Sequence, residues 1–339
     1  VCQQLADADI EYQVVNYGAD SSVGLKDIGD VIVRQLIEDR KEPKEVAKWL
    51  RHCWEQADPW YGTSIGEIWR ALSTWAPVEH IPTGFRELDD ALGGGLRTRA
   101  VHLLAGKPGQ AKTQAAVQVA VNTARKKTPA AVVSLELARD EVGRLVMAQL
   151  GQIPRGWLDS GKLADAAQTR FKAAQHEHSD MPLTVLDDEH WRGGLDRDGL
   201  TSLVERGVKR FGWRLVVVDY LGLLAAVETD KSEFQTDLLN SAALRRIARR
   251  SDIALVVVAA LRKSGVPKGG GEKAIRLEDV LGAGRLVYDA TTVWAVEAKQ
   301  DPRQFSVAPS GTIKLNPLKV RFSCCEKSVE LRWHPGYGA

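Results

Sequence analysis

Gly106-Lys107-Pro108-Gly109-Gln110-Ala111-Lys112-Thr113 has the spacing of a phosphate-binding loop. Glycines let successive backbone N–H groups turn inward on a phosphate, and a helix that follows adds the partial positive charge of its N-terminus. On this reading the stretch 106–113 cradles ATP, Lys112 bridges the β- and γ-phosphates, and the Thr113 hydroxyl ligates Mg²⁺. Ala111 stands where the pattern places a glycine. A methyl fits there if φ stays negative, as it normally does for a residue entering a helix. A glycine-rich turn with an accidental lysine is the bland alternative, and the strand before and helix after the loop argue against it.

Three further groups could complete such a site. Leu215-Val-Val-Val-Asp219 is a buried-strand pattern that delivers one carboxylate at its carboxyl end, where ligands gather in open α/β sheets. Asp219 there is a partner for Mg²⁺ through water, against the plainer reading of a surface acid at a strand end. Glu136 closes the run Ala-Ala-Val-Val-Ser-Leu-Glu, where a carboxylate can polarise a water beside the γ-phosphate or simply cap the helix that follows. Lys319 and Arg321 alternate on a β-like stretch and so share one face. They could reach a phosphate in an adjacent subunit, or form a solvated basic strand edge, and the residues alone leave both open.

Between these groups runs a Gly-rich stretch with Arg262, Lys263, Lys268, Lys273 and Arg276, one acid and no bulky aromatics. It reads as a flexible loop suited to tracking nucleic-acid phosphates rather than stacking on bases. The basic run 245–250 reads as the wet face of an amphipathic helix.

The elements needed to position these residues are legible as alternating short β runs and helical patterns over 81–333, which call for a mainly parallel sheet covered by helices. The strands expected are 100–105, 131–135, 183–186, 215–219, 254–259, 292–296, 312–315 and 328–333. The crossover helices expected are 112–127, 139–150, 163–176, 199–211 and 234–250. Before them come a small, mainly helical N-terminal region, 1–62, and a linker, 63–80. The linker's Ile65, Ile68, Trp69, Leu72 and Trp75 recur at helical spacing, and this stripe packs on its own domain or on a neighbouring subunit. The third expected unit, 81–339, carries all the candidate chemistry.

Composition sets the outer bounds. With 339 residues, 44% hydrophobic and 27% charged, the chain has a globular composition, which excludes disordered and disulfide-scaffold classes. The longest apolar runs fall short of the roughly 18 to 20 residues of a membrane span, so no membrane partner is expected. Cys2, Cys53, Cys324 and Cys325 lack metal-ligand spacing, so reduced thiols, a cytosol-like compartment and no zinc are expected. The segment from Val1 has no signal-like pattern. A net charge of +2, from 46 basic and 44 acidic residues, supplies no global basic field, so any nucleic-acid contact must rely on local patches.

Taken in order, Pro82-Thr-Gly-Phe-Arg-Glu-Leu-Asp89, the glycine run 93–95, the phosphate loop, Ser134-Leu-Glu136, Val218-Asp219-Tyr-Leu, the Gly282-Ala-Gly segment with Asp289-Ala290, and Lys319-Val-Arg321 resemble DnaB-type replicative helicases. The resemblance covers about residues 81–335. It implies an α/β, RecA-like P-loop NTPase core that works as a ring-shaped homo-oligomer, a hexamer, hydrolyses ATP with Mg²⁺, translocates on single-stranded DNA and separates duplex. It further implies Glu136 as catalytic base, Lys319 and Arg321 as trans-acting cations, and 281–285, with Gly284 and Arg285, as part of a central DNA-gripping loop. A primase or a helicase loader is the implied protein partner, and a bacterial, plasmid or phage cytoplasmic setting is implied over a mitochondrial one.

Two departures stand out. Ala111 is one; the other is Ala260, where the family usually has a γ-phosphate-sensing Gln, so Arg262 or Lys263 are possible substitutes. Ala260 favours an alternative, a RecA-like DNA-binding switch of the recombinase-mediator or loader kind that does not unwind. A ring that binds ATP without turning it over is a third reading. Gly24-Leu-Lys-Asp27-Ile-Gly-Asp30 looks like the tail of a Toprim primase domain, as in fused primase-helicases.

Overall fold

The apolar runs singled out in the sequence become neighbouring strands of one sheet. A computed structural model describes residues 65–72, 77–187, 189, 194–219, 222, 233–261, 275–280, 284–300, 311–322 and 327–333. The expectations for 1–62, for Trp75 and for the four cysteines lie outside the described residues. The chain divides into two compact units, Val1–Pro77 and Val78–Ala339. In the first, the described element is helix α1 (Ile65–Leu72), on which Ile65, Ile68 and Trp69 are exposed.

The second unit opens with a hairpin-like pair, β1 (His80–Ile81) against β2 (Leu96–Arg97), with helix α2 (Arg86–Ala91) between them. The Thr-Gly-Phe-Arg-Glu-Leu-Asp run has a structural reason. The Asp89 carboxylate accepts from the Thr83 N–H and hydroxyl, both at 2.7 Å, and from the Gly84 N–H at 3.2 Å, which closes the turn into α2. Gly84 has φ +85, and a Cβ there would meet the Asn122 side chain at 2.6 Å, so the turn can sit this close to the next helix only as glycine.

The main sheet has the order β10-β9-β8-β3-β7-β6-β4-β5. Its strands are β3 (Ala100–Gly106), β4 (Ala130–Ser134), β5 (Leu183–Leu186), β6 (Leu215–Asp219), β7 (Ala254–Ala260), β8 (Thr292–Gln300), β9 (Gly311–Val320) and β10 (Val329–Trp333). From β5 through β8 every neighbouring pair is parallel, and β9 and β10 extend the sheet antiparallel, so the expected mainly parallel α/β class holds. The crossovers are helices α3 (Lys112–Arg125), α4 (Arg139–Gly151), α5 (Arg155–Ser160), α6 (Asp165–Glu177), α7 (Arg197–Phe211), α8 (Glu233–Arg250) and α9 (Gly284–Asp289).

Strand alternation divides the core between the two faces of the sheet. Val101, Leu103 and Ala105 pack with Leu200, Val204, Leu244, Ile247 and Leu286 on the face of α7, α8 and α9. Leu215, Val217, Val256 and Val258 pack with Ala116, Val117, Ala120 and Leu145 on the face of α3 and α4. Each fully buried Val or Leu is worth about 1.5–3 kcal/mol, so the double-sided burial makes the central strands a rigid platform for whatever leaves their ends. Local signals set the helix limits. Asp196 caps α7 by accepting from the Gly199 N–H at 2.6 Å, and Gly212, at φ 70, ends it.

Inside this platform His102 joins β3 to β8 and β2 through Thr292 Oγ1 at 2.9 Å and the Arg97 carbonyl at 3.0 Å. Burial, above all, pushes its pKa down to about 4, so the folded protein keeps the ring neutral.

The structure differs from the sequence reading in a few elements. Helices α5 and α9, each six residues long, lacked enough periodicity to be drawn. The stretch expected to be a flexible loop up to Asp279 ends in a defined turn. Leu277–Asp279 is a 3₁₀ turn, Asp279 Oδ2 accepts from the Arg276 N–H at 2.9 Å, and Val280 bridges Leu261. Ile275 and Leu277 pack against the core and supply the apolar anchor that this reading overlooked.

Candidate functional site

Strand β3 delivers Gly106 at its carboxyl end, in register with Ala260 of β7. A Cβ on Gly106 would meet the Val296 carbonyl oxygen at 2.9 Å, so the loop can leave the sheet here only as glycine. Gly109 (φ 77) and Ala111 (φ 56, ψ 25) both take left-handed conformations. The expected negative φ at Ala111 is therefore wrong. The loop reverses through left-handed backbone before the helix begins, with a positive φ at the residue before Lys112 whatever its side chain, a conformation that can gather successive N–H groups into an anion-binding concavity. An alanine there costs roughly 1–2 kcal/mol that a glycine would not. Gln110, which the sequence reading placed in the loop without a specific task, accepts from the Ala298 N–H of β8 at 2.5 Å and so fastens the loop to a strand far away in sequence.

Lys112 donates from Nζ to the Lys107 carbonyl at 3.0 Å. Burial lowers its pKa, while the nearby carboxylates of Asp219 and Glu136 act in the opposite sense. The structure thus brings loop 106–113, Asp219 and Glu136 together at the carboxyl ends of β3, β6 and β4.

Asp219 is 1% exposed, and neither of its carboxylate oxygens has a hydrogen-bond partner of good geometry. Burial is the main cause that pushes its pKa up to about 6; Glu136 adds to the rise, and the Thr113 hydroxyl and Lys112 oppose it. A buried carboxylate with free lone pairs beside a hydroxyl and an ammonium fits a hydrated divalent cation, which would pair its charge. The folded state binds a proton at Asp219 more tightly than the unfolded chain does. This contribution to stability is complete below about pH 4 and is lost as pH rises through about 6. Asp219→Asn should remove the effect. Urea melts of the free protein should shift in favour of the variant, relative to the parent, by up to about 3 kcal/mol between pH 4 and pH 7. A difference that does not change with pH would show that the carboxylate is not under this strain.

Glu136 lies just beyond β4 and is exposed. Ser134, opposite Asp219 in the β4–β6 register, donates from Oγ to the Leu137 carbonyl at 2.7 Å and accepts from the Leu137 N–H at 3.0 Å, clasping the turn that carries Glu136. The helix-capping alternative for Glu136 does not describe this turn. The α4 N-terminus is served instead by Glu141, which accepts from the Ala138 N–H at 3.1 Å, and by buried Asp187, which accepts from the Arg139 N–H at 2.9 Å. Sequence reasoning cited Ser134 without giving it a task and missed Asp187. Asp187 had the same signal as Asp219, an acid directly after a short apolar strand.

Lys319, in β9, and Arg321, just beyond it, are elsewhere. Lys319 pairs with Val293 at the start of β8, and the Arg321 N–H donates to the Thr291 carbonyl at 3.0 Å. Because β8 runs parallel to β3, this is the amino-terminal edge of the sheet, opposite loop 106–113. The two cations share a target. Lys319 Nζ donates to the carbonyls of Val287 (3.1 Å) and Tyr288, and Arg321 Nη2 donates to the Tyr288 carbonyl at 2.8 Å. Burial first, then Arg321, brings the Lys319 pKa down to about 8, with Asp289 opposing. A freely solvated strand edge is therefore not what is seen.

Of the candidate DNA contacts, Lys263, Lys268 and Lys273 lie outside the described residues, as do the proposed sensor substitutes Arg262 and Lys263. Arg276 is exposed beside the Val280 bridge, Gly284 opens α9, and Arg285 is exposed with its Nε 3.6 Å from Asp289 Oδ1. Arg246, Arg249 and Arg250 do form a wet face, but Arg245 reaches Asp289 Oδ1 at 3.4 Å and so departs from that reading. Among the described residues no group of three metal-ligating side chains is present, and no helix is long and apolar enough to cross a membrane.

Comparison with known proteins gives one consistent result. The family model described as DnaB-like helicase C terminal domain matches residues 80–312. The replicative DNA helicase DnaB of Nostoc sp. is 28% identical over 233 residues, covering 68% of this chain and 26% of that protein. The corresponding helicase of Treponema pallidum is 28% identical over 254 residues, covering 72% and 56%. The chain thus spans between about a quarter and somewhat over half the length of these relatives. A solved ATPase domain superposes with a TM-score of 0.69 at 22% identity, covering 82% of this chain and 98% of its own. A DnaB-like replicative helicase, solved in a study of its interactions with primase, gives 0.69 at 20% identity, covering 91% and 73%.

Proposed function

Since the chain belongs to the DnaB-like helicase C terminal domain family, we propose that it is the ATP-driven motor of a replicative DNA helicase, assembled as a ring that encircles single-stranded DNA. The observation that carries this reading is the separation of the candidate groups. Loop 106–113, Glu136 and Asp219 gather at one edge of the sheet, while Lys319 and Arg321 stand at the other, so one chain holds two half-sites that a head-to-tail neighbour can join. A six-membered ring is the closure proposed.

The amides of 106–113 bind the triphosphate, Lys112 neutralises its charge, and Thr113 and Asp219 are the residues that would hold Mg²⁺, which would supply charge compensation at the phosphate oxygens. Glu136 accepts a proton from water as the water oxygen bonds to the γ-phosphorus and the bond from that phosphorus to the β–γ bridging oxygen breaks. Arg321, with Lys319, comes from the neighbour and stabilises the charge on the departing groups. Arg276 and Arg285, with Lys263, Lys268 and Lys273, track the DNA backbone. Residues 63–80 form a separate linker whose α1 stripe docks on the next subunit, and a primase or loader is the proposed outside partner.

A forked duplex with one single-stranded tail tests this reading. Strand displacement that requires hydrolysable ATP is the expected result, from a species of six-fold mass in a non-hydrolysable ATP analogue plus single strand. Hydrolysis without displacement would replace the motor with a DNA-bound switch.

A further inference from the structure

Both halves of the proposed coupling meet on one short helix. Helix α9 starts shortly after Val280, which bridges Leu261 at the carboxyl edge of β7. It ends beside Thr291, whose N–H donates to the Val101 carbonyl at 2.8 Å at the amino edge of β3. Its six residues rise about 9 Å and carry the chain from the edge of the nucleotide loop toward the opposite edge. Its first turn holds Arg285, and the carbonyls of its last turn receive Lys319 and Arg321.

Asp289 closes that last turn and is unfavourably placed there by itself. A carboxylate at a helix C-terminus faces the negative end of the macrodipole and its unpaired carbonyls. The arrangement is offset from two directions: Lys319 and Arg321 on the carbonyls, and buried Ser241 with the more exposed Arg245 and Arg285 on the carboxylate. Asp289 Oδ2 accepts from the Ser241 hydroxyl at 2.8 Å, and Oδ1 pairs with Arg245 Nη1 at 3.4 Å and Arg285 Nε at 3.6 Å. The cations that cap α9 are the ones proposed to cross to the neighbour's triphosphate. When they leave, the last turn loses its cap and frays, and the i, i+4 pair of Arg285 with Asp289, which needs that turn to be helical, loosens with it.

We propose that Asp289 is a positioning residue that couples the two sites, setting the stance of Arg285 according to whether Lys319 and Arg321 engage α9 or a phosphate of the next subunit. This rests on the motor reading, in which those cations act in trans and Arg285 faces DNA. Coupling of this kind is reciprocal: DNA that draws Arg285 from Asp289 loosens α9 and releases its capping cations. Asp289 touches neither DNA nor nucleotide, so its effect is on communication between them.

Asp289→Asn keeps the shape and an acceptor for Ser241 but removes the charge. In the full chain, ATP turnover without DNA should stay within about twofold of the parent, while stimulation by single-stranded DNA should drop at least fourfold. The difference in single-strand affinity between the ATP-analogue and ADP forms should shrink by the same factor. Full stimulation in a folded Asp289→Asn overturns the proposal, as does an equal fall of basal and stimulated turnover, which a merely structural role would give. Should Asp289→Asn fail to fold, Ser241→Ala removes one of its partners and should lose about half of the stimulation; unaltered stimulation there also overturns the coupling. A parent chain whose turnover ignores DNA refutes the motor reading itself, whereas a stimulated parent and an equally stimulated variant refute only the role of Asp289.

Discussion

Glu136→Gln should bind Mg²⁺ and ATP within about threefold of the parent yet turn over about 10² to 10⁴ times more slowly, the usual range for loss of a positioned general base. Binding should survive because the residues proposed to hold the triphosphate lie on β3, the loop, α3 and β6, and none of them bonds to Glu136. Stability should survive as well. Glu136 is exposed, the turn that carries it is held by Ser134 and Leu137, and the α4 N-terminus is held by Glu141 and Asp187. A charge effect remains. Glu136 raises the pKa of Asp219, so its neutral replacement should ease ionisation of Asp219 and, if anything, favour cation binding. The expected signature is a fall in kcat with KM for ATP little changed, read by single-turnover hydrolysis beside equilibrium nucleotide binding. Parent-like kcat in this variant would remove Glu136 from the chemistry and leave it as a surface acid.

The parts of this site that could be read from sequence are those set by local pattern. A strand, a glycine loop and a lysine at a helix start are contiguous, so 106–113 announces itself; an apolar strand ending in one acid does the same for Asp219 and, unnoticed, for Asp187. What could not be read depends on contacts between distant residues. The capping of α9 by Lys319 and Arg321 joins groups some thirty residues apart, and the Gln110 tether to Ala298 spans 188. Neither leaves a periodicity. Short elements were lost for a related reason: six residues of α5 or α9 make less than two turns, too few for an apolar stripe to repeat. The error at Ala111 has a different origin. Helix entry argued for a negative φ, but the loop reverses through left-handed backbone before the helix begins, and that path overrides the preference of the side chain. Arg245 looked like surface because its neighbours are, and only the placement of α9 against α8 gives it Asp289 as a partner.

The opposite-edge placement of Lys319 and Arg321 makes the second large effect specific. Arg321→Ala should retain ATP binding and lose DNA-stimulated turnover by about 10³ to 10⁵, the range that trans-acting arginines supply to phosphoryl transfer. The fold should tolerate the change, because the Tyr288 carbonyl keeps Lys319 as a donor. A dead variant alone does not say which chain the arginine serves, but mixing does. Lys112→Ala chains lack a working loop and keep the arginine; Arg321→Ala chains keep the loop and lack the arginine. In rings assembled at random from equal amounts of the two, about one interface in four pairs an intact loop with an intact arginine, so up to about a quarter of parental turnover should return from two inactive preparations. A cis arrangement predicts no recovery, since every chain would lack one half of its own site. The register favours recovery: Lys319 pairs with Val293 at the start of β8, while the loop leaves β3 at Gly106, beside the middle of that same strand. Silence from the mixture, in rings shown to exchange subunits, would mean that the sheet edges do not divide the site between neighbours, and the ring would lose its chemical reason to exist.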